Sequence, residues 1–128
     1  MNRTLHGVLE GLRILVLEDE FLIAMDVEQL CRDHGAADVI VARSLGETVA
    51  DVDGAIVDML LDGVSTLDFA AELQAAGTPF VFSSGYTDNG ELAKRFPGVA
   101  MVGKPYAGQD LIEALAAACG RLPQSRSA

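Results

Sequence analysis

Arg13-Ile14-Leu15-Val16-Leu17-Glu18-Asp19-Glu20 is the stretch that decides the fold: four consecutive apolar residues run straight into three acids. So short a continuous apolar run is what a parallel strand buried on both faces looks like. The pattern returns in Gly54-Ala55-Ile56-Val57-Asp58, and a third run, Val99 to Val102, leads into Gly103-Lys104-Pro105. Strands that end in charged groups deliver them to the carboxyl edge of a sheet, where open α/β folds place their ligands. Three such runs suggest one shared site.

Outward from these runs, strands and helices alternate. Glu20 to His34 carries Ile23, Val27 and Leu30 at helical spacing and stops at Gly35. Asp38 to Ala42 reads as the second strand, Ser44 to about Ala50 as a short helix, and Gly54 to Asp58 as the third strand. Ser65 can cap a helix over Thr66 to Ala76, closed by Gly77, and Pro79 to Ser83 is a fourth strand rich in Phe and Val. A short helix from Asp88 or Asn89 toward Phe96, the turn Pro97-Gly98, a fifth strand at Val99 to Val102 and a helix over Gln109 to Leu122 complete the series. Such alternation predicts a doubly wound α/β fold, a parallel five-stranded sheet with helices on both faces and strand order 2-1-3-4-5. In that order the switch point falls between the first and third strands, the two that end in acids.

The chain has 128 residues, half of them hydrophobic and 22% charged, which suits one domain with a real core. Residues 1–12 read as an N-terminal leader, 13–122 as the domain and 123–128 as a flexible tail. No apolar stretch approaches the roughly 20 residues needed to cross a bilayer, and Gly7, Glu10 and Gly11 interrupt the start where a secretory signal needs a continuous core. A cytoplasmic protein without membrane contact is expected. The net charge of −10 opposes binding to nucleic acid, which requires basic groups against phosphates. Cys31 and Cys119 lack metal-type spacing and read as small hydrophobes inside helices.

Carboxylates on adjacent strand ends repel unless a cation compensates. A set of oxygen ligands without His or Cys selects a hard ion, and few protein carboxylates suit magnesium, which keeps waters and takes phosphate oxygens. Glu18, Asp19 and Asp58 are therefore candidate ligands for Mg2+. Lys104 adds an ammonium at the same edge, and Ser83-Ser84 adds a hydroxyl. The competing reading makes Glu18, Asp19 and Glu20 helix-capping acids and Asp58 a turn residue. It suits Glu20, but it does not explain why the others all fall at strand ends.

With these residues in view, the chain resembles the receiver domains of two-component response regulators over about Arg13 to Arg121. The resemblance rests on Ile14-Leu15-Val16-Leu17-Glu18-Asp19-Glu20, Asp58 with Asp62-Gly63, Ser84-Gly85 and Lys104-Pro105. It implies a flavodoxin-like (βα)5 sandwich with Asp58 as phosphoacceptor, supplied by a sensor histidine kinase or histidine phosphotransfer protein. It further implies Mg2+ on Asp19, Glu18, Asp58 and the backbone carbonyl of Leu60, a switch hydroxyl at Ser84 and a phosphoryl-binding Lys104. The chain would be no enzyme beyond magnesium-dependent self-phosphorylation and self-dephosphorylation. It would act on an unknown downstream protein, as a monomer or weak dimer.

The departures are informative. The loop Met59-Leu60-Leu61-Asp62-Gly63 is short, Glu18 stands for the commoner aspartate, Ser84 for threonine, and Met101 where many receivers carry an aromatic switch. Together with Ser84-Gly85-Tyr86 these features resemble the stand-alone Phe-Ala-Thr-Gly-Tyr subgroup, although Ser83-Ser84 replaces Ala-Thr. Leu60 and Tyr86 are expected to flank the approach of water, and Phe21, Leu22, Pro105 and Tyr106 to form a partner-contact rim, with core packing as the competing role. Two other functions compete. A phosphate-independent binding module would not need intact Asp58, Asp19 and Lys104. A haloacid-dehalogenase-type phosphatase would carry a general acid where this chain has Leu60.

Overall fold

The computed structural model describes residues 7–48, 51–61, 63–84, 94–104 and 107–122. Strand β1 (Arg13–Leu17) leads into helix α1 (Phe21–Asp33), then strand β2 (Asp38–Ala42), a single 3-10 turn (Leu45–Glu47) and strand β3 (Gly54–Asp58). Two short strands, β4 (Leu60–Leu61) and β5 (Val64–Ser65), precede helix α2 (Leu67–Ala76); strand β6 (Phe80–Ser84), strand β7 (Met101–Gly103) and helix α3 (Gly108–Ala118) follow. The main sheet is parallel throughout and ordered β2-β1-β3-β6-β7, which is the expected 2-1-3-4-5 once the hairpin strands β4 and β5 are set aside.

Alternation along the strands divides the core in two. Ile14, Val16, Ile56 and Val81 face the layer of α1 and α3, against Val27, Cys31, Leu111 and Leu115. Leu15, Leu17, Ala55, Val57, Phe80 and Phe82 face α2, against Ala70, Leu73 and Phe96. The rings of Phe80, Phe82 and Phe96 meet edge to face, with centroids 5.3 to 5.9 Å apart, a favoured geometry for aromatic quadrupoles. Residues buried on both sides of a sheet cannot alternate with polar ones, which is why these strands read as continuous apolar runs.

Several local expectations change. The helix expected from Ser44 is only the 3-10 turn among the described residues, since Ser44 makes no side-chain cap and Thr48 is already extended. The fifth strand starts two residues later than Val99, because the Val99 N–H turns back to the Phe96 carbonyl. Of the helix expected toward Phe96, Lys94 and Arg95 are helical, Phe96 is already in a bend, and the residues before Lys94 lie outside the described ones. The β4–β5 hairpin was not expected; Leu60 pairs with Ser65 and Leu61 with Val64.

At the amino edge of the sheet, Gly7 to Leu12 lies across the domain. Leu9 is fully buried and its N–H donates to the His34 carbonyl, while the Arg121 guanidinium donates to the Glu10 carbonyl at 3.0 Å. Gly35 must be glycine for this segment to lie so close, for a Cβ there would meet backbone atoms of Gly7 and Glu10 at 3.1 Å and its φ is +99°.

Candidate functional site

The opposite, carboxyl edge gathers the charges. Glu18 follows β1 and Asp58 ends β3; both are buried, at 3% and 6% exposure. The Lys104 ammonium, just past β7, donates to Glu18 Oε1 at 2.9 Å and to Asp58 Oδ2 at 3.0 Å, with Glu20 Oε1 at 3.9 Å. The backbone aims these groups. Leu60 N–H donates to Asp58 Oδ1 at 3.3 Å, Glu20 N–H donates to Glu18 Oε2 at 3.0 Å, and Lys104 N–H donates to the Ser84 carbonyl at 2.7 Å. Parallel pairing of β3 and β6, which sets Asp58 beside Ser83, brings buried Ser84 to the same edge.

Electrostatics follow from this crowding. Burial raises the Glu18 carboxyl above its ordinary value and the neighbouring Asp58 charge adds to the rise, against hydrogen bonds from Lys104 and the Glu20 N–H. Burial also works against the Lys104 ammonium, but its bonds to Glu18 and Asp58 prevail and hold its pKa above the usual lysine value. The cluster therefore favours positive charge.

A divalent cation fits the donor set. Glu18, Asp19 and Asp58 each offer a carboxylate oxygen, and these lie within 4.8 Å of one another. All are hard oxygen donors, and an acid strained by burial gains from a cation beside it.

Of the other expected positions, Phe21 and Leu22 open α1 and are exposed, at 55% and 75%, beside the acids. Leu60 is partly exposed on the hairpin, and Met101 packs against the phenylalanine layer. Tyr86, Pro105 and Tyr106 lie outside the described residues. Glu20 occupies the N-cap position but makes no capping bond with its side chain, which instead lies on the Lys104 side.

Two residues escaped the sequence reading. Arg43, one position past β2, donates to the Asp19 carbonyl at 3.3 Å and lies over the Phe21 ring at 5.6 Å. Thr66 is fully buried, and its hydroxyl reaches the Asp58 carbonyl at 2.6 Å. A basic residue at the end of the second strand was the available signal for Arg43. Thr66 offered none, because a threonine at a helix start reads as a cap.

No protein-family model matches the chain, and no curated protein does. Solved structures do. The N-terminal signal receiver domain of a two-component response regulator from Bacteroides fragilis is 25% identical, with a TM-score of 0.68 over 84% of this chain and 95% of that one. The response regulator PhyR from Brucella abortus is 27% identical, with a TM-score of 0.69 over 88% of this chain. The chain has the fold of the receiver domains of response regulators. The chain spans about half the length of the Brucella protein, covering 50% of it. The REC domain of PhyR from Erythrobacter litoralis shares the fold at 21% identity, with a TM-score of 0.69 over 95% of the receiver and 100% of that chain.

Proposed function

We propose that this receiver takes a phosphoryl group onto an Asp58 carboxylate oxygen, from a phosphohistidine of a sensor kinase or phosphotransfer protein, and signals through a protein partner in the cytoplasm. The observation that carries the reading is the setting of Asp58: a buried carboxylate at a strand end, held by an ammonium on one oxygen and a backbone N–H on the other. An aspartate placed merely to start a turn needs neither.

The residues suit the chemistry of phosphoryl transfer, which asks chiefly for an aligned nucleophile and positive charge around the equatorial oxygens. An Asp58 carboxylate oxygen attacks phosphorus as the P–N bond breaks, and the imidazole, protonated on its other nitrogen, leaves neutral. Glu18, Asp19, Asp58 and the Leu60 carbonyl would hold Mg2+, whose contribution is positive charge against the phosphoryl oxygens. Lys104 stands within reach of the acceptor and supplies the second positive charge. Ser84, at the end of β6, is the candidate switch hydroxyl, and the bond from the Lys104 N–H to its carbonyl couples the ends of β6 and β7. Phe21 and Leu22 are the apolar groups available to a docking partner.

Intact mass after incubation with a small acyl phosphate and Mg2+ tests this. A gain of one phosphoryl group is expected, absent in Asp58→Asn. An adduct that survives in Asp58→Asn, or catalytic turnover of phosphomonoesters, would sink the reading.

A further inference from the structure

One buried side chain ties the hairpin after Asp58 back to the strand it leaves. Thr66 is fully buried, and its hydroxyl proton is shared between the Asp58 carbonyl at 2.6 Å and the Met59 carbonyl at 3.1 Å. Its own N–H returns to the Met59 carbonyl at 3.1 Å, and its carbonyl accepts the Ala70 N–H, which starts α2. From the other side, Met59 N–H is anchored on the Ser83 carbonyl at 3.0 Å. The backbone from Asp58 to Leu60 is thereby clamped between β6 and Thr66. That backbone carries the Leu60 N–H, which holds Asp58 Oδ1.

Packing alone does not call for a hydroxyl here. Valine has nearly the same shape as threonine, avoids the cost of burying a polar group, and would fill the same space. What valine cannot do is bind the carbonyls of the acceptor residue and its neighbour. We propose that Thr66 is a positioning residue for phosphoryl transfer: its hydroxyl fixes the β4–β5 hairpin so that the Leu60 amide keeps the Asp58 carboxylate aimed. This rests on the reading of Asp58 as acceptor. Its hydroxyl is spent on the Asp58 and Met59 carbonyls, so Thr66 would act through the Asp58 to Leu60 backbone.

The test compares Thr66→Val with Thr66→Ser in the full chain. Two readouts are taken: hydrogen exchange of the Leu60 amide without added metal, and the rate at which a small acyl phosphate with Mg2+ adds a phosphoryl group to Asp58. Losing one well-formed hydrogen bond and the alignment it imposes corresponds to about a tenfold effect. Thr66→Val should therefore exchange Leu60 about tenfold faster and phosphorylate about tenfold more slowly, while Thr66→Ser stays within about twofold of wild type. Wild-type values for Thr66→Val, or equal impairment of both variants, would overturn the role. Should Thr66→Val fail to fold, Thr66→Cys decides, since it keeps the volume with a weaker donor; a wild-type rate overturns the role and a reduced one supports it. A wild-type chain that gains no mass on Asp58 overturns the acceptor reading itself. A wild-type chain that gains it, with Thr66→Val keeping pace, overturns only the part given to Thr66.

Discussion

Replacing Lys104 by methionine should destabilise the receiver when divalent cations are chelated, and magnesium should reverse much of that loss. The substitution keeps the apolar stem and removes the ammonium, 2.9 Å from Glu18 and 3.0 Å from Asp58. Stripping one partner from a buried ionic pair costs about 3–5 kcal/mol, and from an exposed pair at most about 1 kcal/mol. The Lys104 side chain is 17% exposed and its partners 3% and 9%, which sets the loss nearer the buried limit. Glu18 can escape part of the penalty by taking up a proton, so about 2–4 kcal/mol is expected. For a domain of this size that lowers the melting temperature by about 8–15 °C. Thermal unfolding followed by circular dichroism, in chelator and in excess Mg2+ at pH 7.5, measures it. The exposed Lys94→Met serves as control and should shift stability by less than about 0.5 kcal/mol. Equal melting temperatures for wild type and Lys104→Met in chelator would refute the reasoning, as would a difference that magnesium leaves untouched.

Glu18 predicts a pH dependence. Because its folded pKa is raised, the native state binds more protons than the unfolded one, and the ion-free receiver should gain stability as pH falls through that raised value toward the ordinary 4.5; melting curves of Glu18→Gln should lack this limb, and an unchanged limb would dismiss the cause. The cysteines should resist alkylation, since burial pushes Cys31 up to about 12 and Cys119 up to about 11. At pH 8 the thiolate fraction of Cys119 is then about one in a thousand, against roughly a quarter for an ordinary thiol, so intact mass should show two adducts in urea and none natively. Gly54→Ala should cost about 1–3 kcal/mol, because its Cβ would sit 2.6 Å from Cys119 Sγ. Adding Cys119→Ala should recover most of that in denaturant titrations.

The buried strands were legible because a parallel sheet covered on both faces leaves its apolar runs unbroken, as in Ile14 to Leu17 and Ala55 to Val57. The site followed from the same logic, since strand order alone brings Glu18, Asp58 and Lys104 together. What escaped were features made by contacts distant in sequence or by too few residues to form a pattern. The two-residue strands at Leu60 and Val64 cannot show alternation. The burial of Leu9 depends on His34 and on a close approach at Gly35, neither of which local spacing reveals. Thr66 gives its hydroxyl to carbonyls seven and eight residues earlier rather than to its own helix.

The bond from Arg121 to the Glu10 carbonyl joins positions 111 residues apart and gives the receiver a handle. Both outgoing directions of the described chain leave from the pole where the strands begin, roughly 16 Å of extended backbone from the pole that carries Asp58. A module packed directly against these described residues would lie across the sheet from Asp58 and Lys104 and leave that edge open. From there it could sense changes at Asp58 through strain carried across the sheet.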